Sequence, residues 1–357
     1  MTSRDIVKDT IHFRNPRRIP YMVLFDMPRF IEERNSEEVE EIQNLLCAYG
    51  HDFIILDVEP GKNWKPRQRP SLYQKSGLYS HDEREDEWGV IWKELRVMEH
   101  PLAKGWNRAA TYPVPDPYAP GRFEEAKESM ACYPDRYHLG RVWFTLFERL
   151  WMIRGFYNMM LDPYLHYAEF VDLKNRVMAY NIGLIDQWLT LGIDGIYISD
   201  DWGGQSSLLI NPDDWRRLYK PCYRQMIERA HREDVDVWMH SCGHITEIIP
   251  DLVEIGLDVI NPIQPQAMDL EYLSRTFAGK LCFYGGVDVQ GTLPHGTPQD
   301  VRDEVKRLIR LFHTKNGGYI AETSHTILPD TPLENIRTLY RALEEFCGDP
   351  DLVLKGV

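Results

Sequence analysis

GIYIS, residues 195–199, is one of five short β-branched or apolar runs in the second half of the chain. The others are VDVWMH at 235–240, DVIN at 258–261, LCFYG at 281–285 and GYIA at 318–321. Each run is followed by a polar loop and then by a stretch with the apolar spacing of an amphipathic helix. This alternation predicts repeated βα units that build a parallel sheet.

Three further runs of the same kind lie upstream: IPYMVLF at 19–25, FIILDV at 53–58 and RVWFTL at 141–146. A helix that begins at Ser36, with Glu37 and Glu38 in its first turn, separates the first two runs. Eight strands that alternate with helices close a barrel. The sequence therefore predicts an α/β fold, a TIM (β/α)8 barrel that forms a single domain over residues 1–357, with a closing helix at 333–346.

A long insertion, from about residue 60 to residue 135, separates the second and third predicted strands. Insertions on such barrels usually form lids or side walls over the mouth, where aromatic rings can hold a flat or apolar ligand. The alternative is that the rings pack a small core of the insertion itself. The rings in question are Trp64, Tyr73, Tyr79, Trp88, Trp92, Trp106, Tyr112 and Tyr118.

The composition excludes several classes of partner. The chain has 41 basic and 55 acidic residues and a formal net charge of -14, which disfavours binding to the phosphates of a nucleic acid. The sequence contains no apolar run of about 20 residues and no apolar signal-peptide core at its start, so we expect no membrane segment and a cytoplasmic location. The six scattered cysteines are expected to be thiols, and only Cys242 has neighbours that could share a metal.

Polar side chains follow each predicted strand, at the end of the barrel where active sites of this fold are built. Taken singly, each carboxylate among them is better explained as an ordinary loop or capping residue. The group as a whole predicts an active site at this end. Its members are Asp26, Asp57, Glu59, Glu148, Asp200, Asp201, His240, Cys242, Asn261, Gln264, Asp288, Glu322 and His325.

His240 and Cys242 form the most informative pair in this group. Residues i and i+2 on an extended strand end point to the same side, and imidazole and thiolate are preferred zinc ligands. A catalytic zinc site needs a third protein ligand, and His325 after the eighth strand is the candidate. His244 is the local rival, although its neighbours place it at the start of the next helix, turned away from the pair.

Three stretches around these residues resemble the uroporphyrinogen-decarboxylase superfamily, in the order and spacing of that family. They are HSCGHITEIIPDLVEIGLDVINPIQPQAMDL from 240, FYGGVDVQGTLPHGTPQDVRDEV from 283 and GGYIAETSHTILPDTPLENI from 317. The likeness runs from about residue 18 to residue 346. The superfamily contains tetrapyrrole decarboxylases and methyltransferases that exchange methyl groups with a corrinoid protein.

Sequence features favour the methyltransferase branch. The decarboxylases carry an Arg-rich signature, MRQAGR, after the first strand, whereas residues 23–29 read VLFDMPR. The methyltransferases use a His-X-Cys pair and a later Cys as zinc ligands, so His240 and Cys242 match and His325 stands at the place of the later Cys. The segment FERLWMIRGFYNMMLD at 147–162 resembles the branch that demethylates methyl ethers.

The resemblance implies a zinc-dependent methyltransferase that moves a methyl group between a small methylated substrate, an aryl methyl ether, and cobalamin on a separate corrinoid protein. Asp200 and Asp201 would orient the substrate or donate a proton, and Glu148 or Glu322 would polarise a zinc-bound histidine. The sequence leaves a homo-oligomer open.

A glycine turn and two alternative functions complete these expectations. The GGVD turn, with Gly285, Gly286 and Asp288, would let the backbone approach the cofactor, although a plain tight turn explains both glycines equally well. One alternative function is a zinc-independent lyase for a carboxylated substrate, with Asp26 or Asp57 as acid or base. The other is a non-catalytic barrel that binds a corrinoid or tetrapyrrole.

Overall fold

A central sheet of seven parallel strands organises the protein, in a computed structural model that describes residues 1–66 and 82–354. Within this sheet each strand pairs in parallel with the sheet's next strand in chain order, from Phe53–Leu56 at one end to Tyr319–Ile320 at the other. In chain order the described strands are β1 Phe53–Leu56, β2 Arg84–Glu85, β3 Ile91–Lys93, β4 Arg96–Glu99, β5 Tyr137–Val142, β6 Gly195–Ser199, β7 Asp236–His240, β8 Val259–Asn261, β9 Cys282–Tyr284 and β10 Tyr319–Ile320.

The segment at 19–25 fills the eighth position of the barrel without forming a regular strand. It makes isolated parallel bridges from Tyr21 to Ala321 and from Phe25 to Ile327. The Tyr21 backbone N–H donates to the Asp52 carboxylate at 3.1 Å, so it is unavailable to a strand ladder. Pro20 has no N–H to offer. The α/β barrel prediction is confirmed, and the prediction of a regular first strand is wrong.

Helices pack around the sheet and cover its outer face. The C-terminal helix was expected at 333–346 and extends from 333 to 348. It packs against the long helix before it, Pro298–Phe312, and against the helix that precedes β1, Ser36–Tyr49. The described helices are α1 Ser3–Ile11, α2 Met27–Glu33, α3 Ser36–Tyr49, α4 Glu124–Cys132, α5 Phe147–Arg154, α6 Phe156–Leu165, α7 Tyr167–Thr190, α8 Pro212–Leu218, α9 Lys220–His231, α10 Ile249–Glu254, α11 Leu270–Phe277, α12 Thr292–His295, α13 Pro298–Phe312, α14 Leu333–Gly348 and α15 Asp351–Leu354.

The strand predicted as the third of the barrel, at 141–146, corresponds to β5. It begins and ends four residues earlier than predicted. The ladder stops at Val142 because Phe144 adopts a positive φ of 50° and Thr145 N–H donates to Ser199 O at 2.8 Å. The apolar residues that follow therefore start helix α5 instead of extending the strand. The strands β6 to β10 lie within one residue of every predicted boundary.

Large side chains fill the interior of the described barrel, so a ligand-binding site of this barrel is expected at its mouth. Rings of Phe53, Tyr197, Trp238 and Tyr284 pack together inside the barrel, and helix α1 adds Val7 and Ile11 to the same cluster. The interior is thus a packed core, as expected for this fold.

The insertion lies between β1 and β5, where the sequence predicts it. Its described part contains a three-stranded antiparallel sheet, β2-β3-β4, and helix α4. Trp88, Trp92 and Tyr112 are buried in the main hydrophobic core. Trp88 packs against Tyr180 of α7 and Trp92 stacks on Phe144, so these two rings join the insertion to the barrel. Tyr73 and Tyr79 lie outside the described residues. The expectation of a single domain stays a prediction.

A membrane-crossing helix would have to be both long and apolar, and no helix in the described part of the chain meets both conditions.

Candidate metal centre

His240, Cys242 and His325 meet at the mouth of the barrel. His240 ends β7, Cys242 follows two residues later, and His325 lies in the loop after β10. One ligand atom from each residue lies within 4.8 Å of the other two. The Cys242 Sγ and His240 Nε2 atoms are 3.3 Å apart, and the two imidazole centroids are 6.3 Å apart.

This donor set fits a zinc ion. With Zn–N and Zn–S bonds of about 2.0 and 2.3 Å, tetrahedral geometry separates the two ligand atoms by about 3.5 Å. The observed separation of 3.3 Å requires little movement. His244 does not belong to the group, because its Nδ1 atom lies 2.7 Å from Ala267 O and its Nε2 atom lies 3.3 Å from Glu247.

Asn261, at the end of β8, fixes the tautomer and orientation of His240. Its Nδ2 group donates to Tyr284 O at 3.1 Å, so its Oδ1 atom faces His240 Nδ1 at 2.7 Å. An amide oxygen can only accept, and His240 Nδ1 therefore carries the ring proton. The Nε2 lone pair is left facing Cys242, as metal ligation requires. The Tyr197 hydroxyl donates to the same Oδ1 atom at 2.6 Å.

A cavity of about 390 Å³ opens beside the three residues, with His240 and His325 in its wall. Apolar and aromatic side chains form much of the wall, and a few polar groups converge in it, which is the usual composition of a small-molecule site. The remaining lining residues are Leu24, Ile55, Trp92, Leu95, Arg141, Trp143, Phe144, Glu148, Trp151, Met152, Tyr197, Ser199, Asp201, Asn261, Pro262, Glu322, Thr323, Ser324 and Thr326.

Asp201 and Glu148 place two carboxyl groups in this wall. Asp201 accepts from the Cys242 backbone N–H at 2.8 Å and lies 3.7 Å from His240 Nε2. Glu148 is nearly enclosed and pairs with Ser199 Oγ at 3.4 Å. Burial and the nearby Asp201 and Asp200 charges raise the pKa of Glu148 well above its usual value.

The Cys242 thiol lies in an acidic setting that would be offset by a cation. Burial raises the pKa of Cys242, and the charges of Asp201 and Glu148 raise it further. A metal ion binds the thiolate and reverses this preference by supplying positive charge. The surrounding carboxylates are thus matched to a centre that holds a cation.

Asp200, predicted as a catalytic residue, is fully buried and does not line the cavity. It accepts the backbone N–H groups of Leu146, Phe147 and Glu148 at 2.7, 3.1 and 2.8 Å, and the Tyr223 hydroxyl at 2.6 Å. These contacts satisfy N–H groups at the start of helix α5 that the helix itself cannot satisfy. Asp200 therefore anchors α5, which in turn places Glu148.

Glu322 lies deep in the cavity wall and is 4% exposed. Its Oε2 atom accepts from Asn261 Nδ2 at 3.5 Å, whereas Oε1 has no hydrogen-bond partner among the described residues. Burial raises the pKa of Glu322 to about 8, which outweighs the opposing effect of Tyr284 and Asn261. Among the described residues, Glu322 is thus linked to His240 by hydrogen bonds through Asn261. The predicted direct contact between Glu322 and His240 is absent.

The GGVD turn lies outside the cavity lining. Gly285 and Gly286 have φ values of +111° and +116°, which disfavour other residues, and a Cβ at Gly286 would come within 2.9 Å of the Leu308 side chain. The Asp288 carboxylate accepts from Gln266 Nε2 at 2.7 Å and from Gln290 N–H at 2.8 Å. The geometry favours the plain tight turn over a cofactor contact.

Arg141 and Tyr197 are cavity residues that the sequence reasoning missed. Arg141 lies within β5 and Tyr197 within β6, and side chains inside barrel strands ordinarily pack the core. The one usable signal was the alternation of GIYIS, which points Tyr197 to the interior of the barrel. Arg141 donates to Asp57 through two hydrogen bonds of 2.7 and 2.6 Å and stacks over the Trp143 ring at 4.0 Å.

Asp26 and Asp57, the acid or base of the alternative lyase, both make structural contacts. Asp57 is the partner of Arg141 and also accepts from Trp143 Nε1 at 2.9 Å. Asp26 caps helix α2 by accepting from Arg29 N–H at 3.2 Å. Neither of these carboxylates lines the cavity.

Comparison with known proteins places the chain in a family. Residues 144–346, more than half of the chain, match the family described as Uroporphyrinogen decarboxylase (URO-D). The chain belongs to this family. Its relatives include a uroporphyrinogen decarboxylase from Chlorobium luteolum, 26% identical over 177 residues, or 48% of each chain. The chain thus matches about half the length of that relative.

Methyltransferases also occur among the similar proteins. The Methylated-thiol--coenzyme M methyltransferase of Methanosarcina mazei is 25% identical over 140 residues, which cover 39% of this chain and 35% of that protein. A solved structure described as a methyltransferase from Methanosarcina mazei superposes with a TM-score of 0.68 at 16% identity. It covers 97% of this chain and 99% of that chain, which supports the fold over nearly the whole sequence.

Proposed function

We propose that this URO-D family member is a zinc-dependent methyltransferase. It moves a methyl group between a small methylated substrate and the cobalt of a corrinoid held by a separate protein. The observation that carries the proposal is the convergence of His240, Cys242 and His325 beside a cavity that has the two histidines and five aromatic side chains in its wall. A lyase that works without a metal does not require a thiol and two imidazoles with their ligand atoms this close together. The methyltransferase relatives support the same class of reaction.

His240, Cys242 and His325 would hold the zinc ion, which when bound supplies Lewis-acid stabilisation of the substrate atom that loses or gains the methyl group. Asn261 holds His240 in the ligating tautomer. Asp201 fixes the position of Cys242 through its backbone N–H. Burial raises the pKa of Glu148, which favours its protonated form and would suit it to give a proton to the oxygen that departs.

The lining of the cavity favours an aryl methyl ether as the substrate. Trp92, Trp143, Phe144 and Trp151 offer apolar surface to a ring. A phenoxide is a better leaving group than an alkoxide, and positive charge placed at its oxygen lowers the barrier further. Arg141 is the one Lys or Arg among the lining residues and already pairs with Asp57. The described wall therefore lacks the free cations that a polycarboxylated tetrapyrrole would need.

Elemental analysis of the purified chain and of three single variants tests the metal. We expect about one zinc per chain, a large loss in Cys242→Ser and His325→Ala, and no loss in Cys132→Ser, which alters an exposed cysteine outside the cluster. Full activity in a metal-free preparation would contradict the zinc requirement.

A transfer assay tests the substrate class. The chain is mixed with reduced corrinoid and with an aryl methyl ether, methanol, a methylamine or a methyl thioether, and the absorption spectrum of the corrinoid reports its methylation. We expect the ether to be the preferred donor. Preference for the amine or the thioether rejects the ether and leaves the methyltransferase proposal standing, whereas inactivity with every donor rejects both.

A further inference from the structure

Helix α6 presents its most apolar side to solvent. Of the 17 large hydrophobic side chains that are exposed in the described part of the chain, six lie between residues 156 and 167. A soluble monomer rarely exposes so many apolar side chains together, and such a patch usually marks a contact with another molecule. The six residues, which we call the α6 face, are Phe156, Tyr157, Leu161, Tyr164, Leu165 and Tyr167.

The exposed side chains of α6 share one side of the helix. At about 3.6 residues per turn, their five positions fall within one half of the circumference, whereas the buried Met159 and Asp162 lie in the other half. This arrangement is the reverse of the usual surface helix, in which polar residues face the solvent. The exposed Tyr167 follows two residues after α6 ends. The α6 face is therefore one apolar surface and not a set of scattered side chains.

The α6 face carries no charge of its own. The residues from 155 to 168, GFYNMMLDPYLHYA, include Asp162 as their one acidic or basic residue apart from His166. Asp162 is buried, and its carboxylate accepts from Arg154 at 2.7 and 3.0 Å. The whole chain has a formal net charge of -14, so two copies repel each other where their acidic surfaces meet. An uncharged face is where two such copies can approach at the lowest electrostatic cost.

The size of the α6 face is close to what a dimer contact requires. Its four aromatic side chains are between 44% and 77% exposed. An aromatic side chain can bury about 150–250 Å², so these four alone can contribute about 350–600 Å². Leu161 and Leu165 add to this area. A stable interface buries about 800 Å² on each partner, and the α6 face thus supplies most of one.

A groove beside the α6 face gives this surface a shape that can pair with itself. The groove has a volume of about 220 Å³ and lies between α6 and residues 209–219. A cavity of about 150 Å³ already holds a benzene ring, so the groove can receive an aromatic side chain from a second copy. Tyr157 protrudes from the same helix that forms one wall of the groove. A two-fold contact needs such a surface, which bears both a protruding and a receiving part.

The composition of the α6 face favours a second copy over other partners. Interfaces of homodimers are more apolar than those of proteins that meet transiently, and interfaces in general are enriched in Tyr, Phe and Met and depleted of Lys, Glu and Asp. The stretch from 155 to 168 has this composition. A lipid surface is disfavoured by the net negative charge of the chain and by the lack of Lys and Arg in this stretch.

We propose that the protein forms a two-fold homodimer through the α6 face, with an exposed ring of each copy in the groove of the other. Asp214 and Arg217, which pair at 2.6 Å, lie at the edge of this contact, because Asp214 lines the groove and Arg217 lies 6.0 Å from the centre of the Tyr167 ring. They supply the polar rim that surrounds an apolar interface. The dimer does not depend on the proposed function.

Sedimentation over a range of concentrations tests the dimer. We expect the unaltered chain to sediment with twice the mass of one chain. Tyr157→Glu and Leu165→Glu should each weaken the association at least about tenfold, because each places a carboxylate in a contact that excludes water. Tyr133→Glu, which alters an exposed tyrosine outside the α6 face, is the matched control and should keep the dimer. Circular dichroism and thermal unfolding verify the fold of each variant.

Hydrogen exchange locates the contact. We expect the amides of residues 155–168 to exchange more slowly at concentrations at which the dimer forms than in dilute monomer. A monomer at every concentration up to about 100 μM overturns the proposal, because stable interfaces of this size bind more tightly than that. A dimer that persists in both glutamate variants of the α6 face, or that slows exchange only elsewhere, also overturns it. Binding of a monomeric chain to phosphatidylcholine vesicles, lost in Tyr157→Glu, would assign the α6 face to a lipid surface and overturn the dimer as well.

Discussion

Asn261 should control the metal affinity of the site although it is not itself a proposed ligand. Its Oδ1 atom accepts from His240 Nδ1 at 2.7 Å and from the Tyr197 hydroxyl at 2.6 Å. The substitution Asn261→Leu keeps the branched shape of the side chain and removes the one oxygen that accepts from both groups. The His240 ring then loses the contact that fixes its tautomer and its angle, and the Tyr197 hydroxyl loses its buried partner.

The expected loss follows from the role of such contacts. Removing the group that orients a metal-binding histidine lowers metal affinity by about 10–100-fold. This range corresponds to about 1.4–2.7 kcal/mol of binding free energy. The unpaired Tyr197 hydroxyl should also lower the free energy of unfolding by about 1–3 kcal/mol. Both effects should occur together, because the same oxygen serves both donors.

Competition with a chromophoric zinc chelator measures the affinity, and circular dichroism verifies the fold. Tyr197→Phe is the control, since it removes the second donor and leaves the contact between Asn261 and His240, and it should keep the affinity within about threefold of the original. A leucine variant that folds normally and binds zinc as tightly as the unaltered chain would refute this account of the site.

Three further predictions concern the scaffold. Arg149→Met leaves the buried Asp86 carboxylate without its cation, 2.9 Å away, and should lower the free energy of unfolding in urea by about 3 kcal/mol; a loss below about 1 kcal/mol would be inconsistent with this. Asp200→Ala should also lower the free energy of unfolding by about 3 kcal/mol, because several backbone N–H donors lose a charged acceptor. The zinc content should not change. Loss of zinc with normal stability would instead favour a role for Asp200 in the metal site. Hydrogen bonding to Asp236 raises the pKa of His12, so its stabilisation is complete below about pH 6.5 and disappears as pH rises through the folded-state pKa. His12→Gln should remove that part of the pH dependence, measured as the difference in urea midpoint between pH 6 and pH 8, and an identical difference in both proteins would contradict it.

The barrel could be predicted because its strands are short, buried on both faces and separated by amphipathic helices. GIYIS at 195–199 is an uninterrupted buried run, and its boundaries are the same in the structure. The segment at 19–25 is equally apolar, but its pairing is decided by Asp52, a side chain some thirty residues away. A long-range contact of this kind leaves no mark in the local pattern.

The spacing of His240 and Cys242 predicts the candidate metal site. The same spacing does not predict which nearby carboxylate belongs to that site. The i, i+2 relation of His240 and Cys242 is visible in one line of sequence, whereas His325 was a candidate through its place after the eighth strand, which the family likeness supported. Asp200 and Asp201 are adjacent and chemically identical, and consecutive residues point in opposite directions. The structure turns Asp200 towards the start of α5 and Asp201 towards Cys242.

The histidine at position 325 changes the charge of the proposed centre. Two imidazoles and one thiolate leave a bound zinc ion with one net positive charge, whereas a second thiolate would leave it neutral. A more positive centre stabilises an oxygen anion more strongly, because oxygen carries its charge in a smaller, harder atom than sulfur. Asp201, 3.7 Å from His240 Nε2, partly offsets that charge without occupying a place in the ligand set. A histidine instead of a second cysteine at position 325 would therefore suit the departure of a phenoxide better than the capture of a thiolate.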